Sequence, residues 1–184
     1  MKNIFVRIGI VALVFSSVFL SSCLNSDVTP TDHNADLQNI IASIDKTKLA
    51  ADLAIINDSI VNRWHLENVQ HDANGIPYTI DSLGTSTVKP TINSAILLKY
   101  EGRLLKKGRN GQTFSASSAG IPTYVFGLIA GLQTTLPLLP AGSKATIYIP
   151  SGFAYGINEL KDNGVVVVPA NSNVIFKVQV TNIQ

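Results

Sequence analysis

The segment NVIFKVQVTNI, residues 173–183, alternates strictly between two faces. Val174, Phe176, Val178 and Val180 fall on one side, with Ile175, Lys177 and Gln179 on the other. Side chains of a strand point alternately to opposite faces, so this order commits the segment to a strand with one face on an apolar core. On a helix the same residues would be spread around the whole circumference. Three further runs read the same way. KATIYIP sets Ala145, Ile147 and Ile149 together, SAILLKYEGRL sets Ile96, Leu98 and Tyr100 together, and IPYTIDS (Ile76–Ser82) is a shorter candidate. Between them LIAGLQTTLPLLPAG, Leu128–Gly142, holds one short helix that Pro140 and Gly142 terminate. The predicted fold is α+β over residues 75–184, a twisted antiparallel sheet of about five strands wrapped on one short helix.

Ahead of this domain the period changes. Leu37, Ile40, Ile41 and Ile44, then Leu49, Leu53, Ile56, Ile60 and Trp64, follow helical spacing, which predicts a helical extension over 35–66. Asp45 or Thr47 can cap a second helix, so one bent helix or two short ones both fit. Trp64 continues the apolar stripe and reads as a packing residue. Further upstream, Lys2 and Arg7 precede an apolar run from Ile8 to Leu20 that ends in LSSC at Cys23. A basic start, a short apolar core and small residues before a cut site describe a signal peptide over 1–22. The run falls short of the roughly 20 apolar residues that span a bilayer. LSSC resembles the lipobox of bacterial lipoproteins, which implies lipidation at Cys23 and a polar tether over 23–34.

Lys2 and Arg7 account for the whole formal charge of +2, so the chain beyond them is balanced. No basic patch remains to attract nucleic acid. Cys23 is the one cysteine, which rules out a disulfide within the chain. The histidines His33, His65 and His71 form no cluster with metal-ligand spacing, and HLENVQH reads as solvated surface. No Gly-rich phosphate loop follows a strand. Ser151 in IPSGFAYG lacks the strand–turn–helix setting of a nucleophile elbow. One reaction class needs none of these groups. Rotation about a peptide bond faces about 18–20 kcal/mol because resonance stiffens the C–N bond, and for X–Pro bonds cis and trans lie close in energy. The twisted amide has lost that resonance and carries a smaller dipole, so a water-poor apolar pocket favours it over the planar ground state.

The chain resembles the FKBP-type peptidyl-prolyl cis-trans isomerases from Ser94 to Ile183. LLKYEGRLLKKGRNGQTFSASS is similar to the family's strand–hairpin–strand. LIAGLQTTLPLLPAGSKATIYIPSGFAYG is similar to its helix, turn and Ala-Tyr-Gly signature, and VVVVPANSNVIFKVQVTNI to its last strand. The resemblance implies a pocket walled by Tyr100, Phe114, Leu128, Ile129, Leu132, Tyr155 and Phe176. It further implies that Tyr155 donates its hydroxyl to a substrate carbonyl and Ile129 its backbone N–H to another. Tyr124 would stand on the rim, and Gly156–Val168 would form a flap.

The same comparison shows departures. Ser115 follows Phe114 where the family has aspartate, Leu132 stands where it has the tryptophan of the pocket floor, the stretch from Tyr124 to Leu128 is shorter, and the hairpin RLLKKGRNGQ is longer. The resulting expectation is a cofactor-free isomerase acting on proline-containing segments of exported proteins. It would be lipid-anchored in the bacterial cell envelope, at the periplasmic side or the cell surface, with the outer membrane favoured. The alternatives are a catalytically weak binding module or chaperone on the same fold, and a structural surface lipoprotein.

Overall fold

The computed structural model describes residues 32–106 and 109–183. The expected signal peptide, the expected lipidation site at Cys23 and most of the expected tether lie outside these residues. Asp32–Gln184 forms one compact unit that includes both the helices and the sheet. Among the described residues no helix is long and apolar enough to cross a membrane.

The helical segment resolves into two helices, α1 (His33–Ser43) and α2 (Lys46–Asn57), the latter running on into a widened turn at Asp58–Arg63. Aspartates start both helices. Asp32 accepts from the backbone N–H of Asn34 and Ala35, and Asp45 accepts from Thr47 and Lys48 at 2.8 and 3.0 Å. Each thereby satisfies two of the amide donors that a helix start leaves unpaired. Ile44, between the helices, is extended and buried.

Six strands make one antiparallel sheet: β1 (Gln70–His71), β2 (Pro77–Ser82), β3 (Ala95–Lys106), β4 (Arg109–Tyr124), β5 (Lys144–Ile149) and β8 (Val174–Ile183). Their spatial order is β1-β2-β5-β8-β3-β4. The pairings Ile147↔Phe176 and Gly102↔Phe176 place β8 at the centre of the site-bearing region. The sheet has one strand more than the pattern suggests, because β1 is only two residues long. Strands β6 (Leu160–Asp162) and β7 (Val165–Val168) pair with each other in a separate hairpin. Its turn, Asn163-Gly164, has both residues at positive φ, the conformation an Asn-Gly hairpin turn requires.

The main core lies on one face of the sheet. Ile96 and Leu98 of β3, Ala145, Ile147 and Ile149 of β5, and the alternating β8 residues pack there against the short helix α3 (Ala130–Thr135). A Cβ on Gly131 would lie 2.5 Å from Ile149 Cγ2, so glycine is what lets α3 approach β5 this closely. The opposite face is covered in part as well. Ile56 and Ile60, from α2 and the turn after it, pack with Tyr148 and Ile175, and Trp64 lies against Tyr148 with ring centroids 5.9 Å apart. The strands are therefore buried on both sides at this point, where the alternation predicts one apolar face only.

Candidate functional site

Between the sheet and the start of α3 lies a cavity of about 180 Å³. That is below the 300–1,000 Å³ of typical ligand pockets, so it suits a single side chain rather than a large molecule. Strand β3 supplies Leu98 and Tyr100, β4 supplies Ser115 and Ile121, and β8 supplies Phe176. The segment Gly127–Ile129 and Leu132 of α3 close one wall, and Tyr155 closes the other. Seven of the residues predicted from sequence (Tyr100, Ser115, Leu128, Ile129, Leu132, Tyr155 and Phe176) thus line one cavity. None of the lining side chains is acidic or basic.

Phe114 stands behind the wall rather than in it. Its ring meets Phe176 edge-on at 5.7 Å and Tyr155 edge-on at 6.0 Å, and Tyr100 lies 6.1 Å from Phe176. Such edge-to-face pairs set the positive ring edge against the negative face and fix the rings' tilt. Tyr124 is outside the lining: it is 52% exposed, stacks on Phe126 at 5.0 Å and borders a separate groove along Ala95–Leu97. The segment expected as a loop over the site is the β6–β7 hairpin. Its base is tied down by buried Val168, and none of its residues lines the cavity.

Two features carry the site's polarity. The hydroxyls of Tyr100 and Ser115 are hydrogen-bonded at 2.9 Å. Burial, reinforced by neighbouring Tyr100, pushes the Tyr155 hydroxyl above its ordinary value. Tyr155 therefore stays a neutral donor throughout the physiological range. Ile129 precedes α3 in an extended conformation. Its carbonyl accepts from Leu132 and Gln133, and among the described residues no backbone acceptor takes its own N–H.

Sequence reasoning passed over Leu98, Ile121 and Gly127, and also Gln133. The Gln133 side chain is buried and donates to the carbonyls of Phe126 at 3.1 Å and Leu128 at 2.6 Å. It thus holds the cavity wall Phe126–Leu128 against α3. The one signal for it is an amide next to Leu132 on a short helix bounded by apolar segments.

The model of the family described as FKBP-type peptidyl-prolyl cis-trans isomerase matches residues 86–181, just over half of the chain. A probable FKBP-type peptidyl-prolyl cis-trans isomerase FkpA of Neisseria meningitidis serogroup B is 31% identical over 120 residues, 64% of this chain and 41% of that protein. The peptidyl-prolyl cis-trans isomerase Mip of Coxiella burnetii is 31% identical over 115 residues, 61% of this chain and 46% of Mip. The chain spans less than half the length of these curated relatives. Among solved structures, a peptidyl-prolyl cis-trans isomerase from Pseudomonas syringae pv. tomato superposes with a TM-score of 0.60 at 24% identity, covering 76% of this chain and 95% of that one. FkpA from Escherichia coli gives 0.59 at 21% identity, covering 82% and 64%. At these identities the likeness shows the fold.

Proposed function

The chain belongs to the FKBP-type peptidyl-prolyl cis-trans isomerase family, and from that premise we propose that it catalyses cis–trans isomerisation of X–Pro bonds in exported proteins, without a cofactor. The observation that carries this reading is the convergence of residues from β3, β4, β8, α3 and the Tyr155 turn on one cavity that is free of charge and sized for a single side chain. A proline ring seated against Phe176 and Leu132 removes water from the flanking amide. The planar amide loses more solvation there than the twisted one, so the barrier falls. In this reading the Tyr155 hydroxyl and the Ile129 N–H hold the neighbouring carbonyls while the bond rotates.

Steady-state isomerisation and proline-limited refolding assays test this. Tyr155→Phe removes one neutral hydrogen bond, and we expect kcat/KM to fall about threefold to tenfold. Phe176→Ala opens the wall, and we expect a larger loss. A wild-type chain that does not accelerate refolding above buffer would overturn the enzymatic reading. It would leave the second one, a module that binds proline segments without turning them over. Leu132 at the base and Ser115, whose hydroxyl is engaged by Tyr100, are what favour that reading.

We place the protein in the bacterial envelope, anchored by lipid on Cys23, on the strength of LSSC after a basic and apolar start. Names of relatives such as the outer membrane protein MIP of Legionella longbeachae agree with an envelope location. Cys23→Ser is then expected to move the protein from the detergent-extracted membrane fraction to the soluble one. An unchanged distribution would remove the anchor from this reading.

A further inference from the structure

One carboxylate in the helical extension is buried where the sheet domain turns toward Tyr155. Asp52 of α2 is 1% exposed, an uncommon position for a charge, which normally demands close polar partners. Lys48, one helical turn earlier and partly exposed, forms an ion pair with it. The remaining partners come from 99 positions away. Ser151 donates to the Asp52 carboxylate through its hydroxyl at 2.5 Å and its backbone N–H at 3.1 Å. The same N–H lies 2.9 Å from the side-chain oxygen of buried Asn173, which precedes β8 and hence Phe176.

Ser151 is the pivot of the turn that bears Tyr155. Its carbonyl accepts from Ala154 N at 3.0 Å and from Gly156 N at 2.8 Å, the two residues flanking Tyr155. The carbonyl of Gly156 in turn accepts from Asn171 N at 2.7 Å. The neighbouring residue tightens the arrangement, since a Cβ on Gly152 would sit 2.9 Å from Ile44 Cγ2, at the junction of α1 and α2. The extension therefore grips the turn at two successive residues, by a carboxylate and by van der Waals contact.

We propose that Asp52 is a positioning residue: by fixing Ser151 it sets the height and tilt of Tyr155 in the cavity, which makes the helical extension a working part of the site. This rests on the reading of Tyr155 as a substrate-holding group. A charge-assisted hydrogen bond is shorter and about twice as strong as a neutral one, and the buried Ser151 hydroxyl keeps no solvent alternative if the carboxylate is removed. Its loss frees the turn to shift by the fraction of an ångström that decides whether a hydroxyl meets a carbonyl.

The test uses the full chain in detergent, with Asp52→Ala, Asp52→Asn, Ser151→Ala, Tyr155→Phe and the double variant Asp52→Ala/Tyr155→Phe. Two quantities are read, kcat/KM for isomerisation and the NMR ring resonances of Tyr155, which Tyr155→Phe assigns. For Asp52→Ala we expect a fall in kcat/KM of about threefold to tenfold, no larger than that of Tyr155→Phe, a shifted Tyr155 resonance, and no further loss when Tyr155 is already phenylalanine. Asp52→Asn retains an acceptor for Ser151 and is expected to recover most of the activity. Wild-type kcat/KM with an unmoved resonance would overturn the proposal, and so would an equal fold-loss in the Tyr155→Phe background. Should Asp52→Ala fail to fold, Ser151→Ala decides by the same two criteria. Should the wild type show no isomerisation, the functional reading fails on its own. The Tyr155 resonance then decides this one, a shift in Asp52→Ala supporting it and an unmoved signal overturning it.

Discussion

A Cβ placed on Gly102 would lie 2.7 Å from Phe114 Cζ and 3.0 Å from Phe176 Cζ. Gly102 pairs across the sheet with Ser115 on one side and Phe176 on the other, so it sits against Phe176, which lines the cavity, and Phe114, which backs it. Any added carbon must displace an aromatic ring that is held edge-on by its neighbours. For Gly102→Ala we expect a destabilisation of about 1–3 kcal/mol, measured by urea unfolding, typical of an overpacked site. We also expect a fall in kcat/KM beyond what the remaining folded fraction explains, because Phe176 lines the pocket and Phe114 packs edge-on behind it. Unaltered activity in a fully folded variant would show that Phe114 and Phe176 yield without consequence. Tyr100 and Phe176, taken singly, read as ordinary core residues, and it is their order along the chain with Ala154-Tyr155-Gly156 that made the pocket legible. Gln133 was not legible, because the acceptors of a buried amide are set by which loop the fold lays against it.

The elements differ in how plainly their residues announce them. Strand β8 carries its alternation over ten residues, and β3 and β5 theirs over enough to fix the faces. Strand β1 has two residues, too few to show a period, and owes its existence to β2 beside it. The β6–β7 hairpin lies within Gly156–Val168, which the resemblance implies as a flap, and its four consecutive valines show no alternation that would mark a strand. Its pairing is instead dictated by the Asn163-Gly164 turn. In α2 the apolar stripe was clear but its destination was not. Ile56, at 0% exposed, packs on Tyr148 and Ile175, on the sheet face that alternation alone would leave to water. For Ile56→Ala we expect about 2–5 kcal/mol of destabilisation, read from the urea midpoint, with the spread set by how far the site collapses. A loss under 0.5 kcal/mol would mean that α2 contributes little to the stability of the sheet.

Across the whole molecule the sheet is gripped from two sides, by α3 on one face and by α2 with Trp64 on the other. The second contact links overall stability to alkaline pH. Burial pushes the Tyr148 hydroxyl up to about 12 from an ordinary 10. The unfolded chain therefore loses this proton first as pH rises. The stabilisation is complete below pH 10 and is lost between about pH 10 and 12, at most about 2–3 kcal/mol. Buried Tyr78 and half-buried Tyr155 are raised in the same direction and add to the decline. Far-UV circular dichroism and the fluorescence of Trp64, the one tryptophan, should report the same falling urea midpoint over that interval. A midpoint that stays level to pH 12 would contradict the burial of Tyr148.

The grip of α2 on Ser151 also has a consequence in time. Asp52 and Ser151 are 99 positions apart, so at about 5–20 residues per second the ribosome makes the helix roughly 5–20 s before its seat. Through that interval Ile56 and Ile60 have only near neighbours such as Trp64 and Leu66 beside them, because Tyr148 and Ile175 are not yet made. The helix that steadies Ser151 is thus made first and waits for its partner.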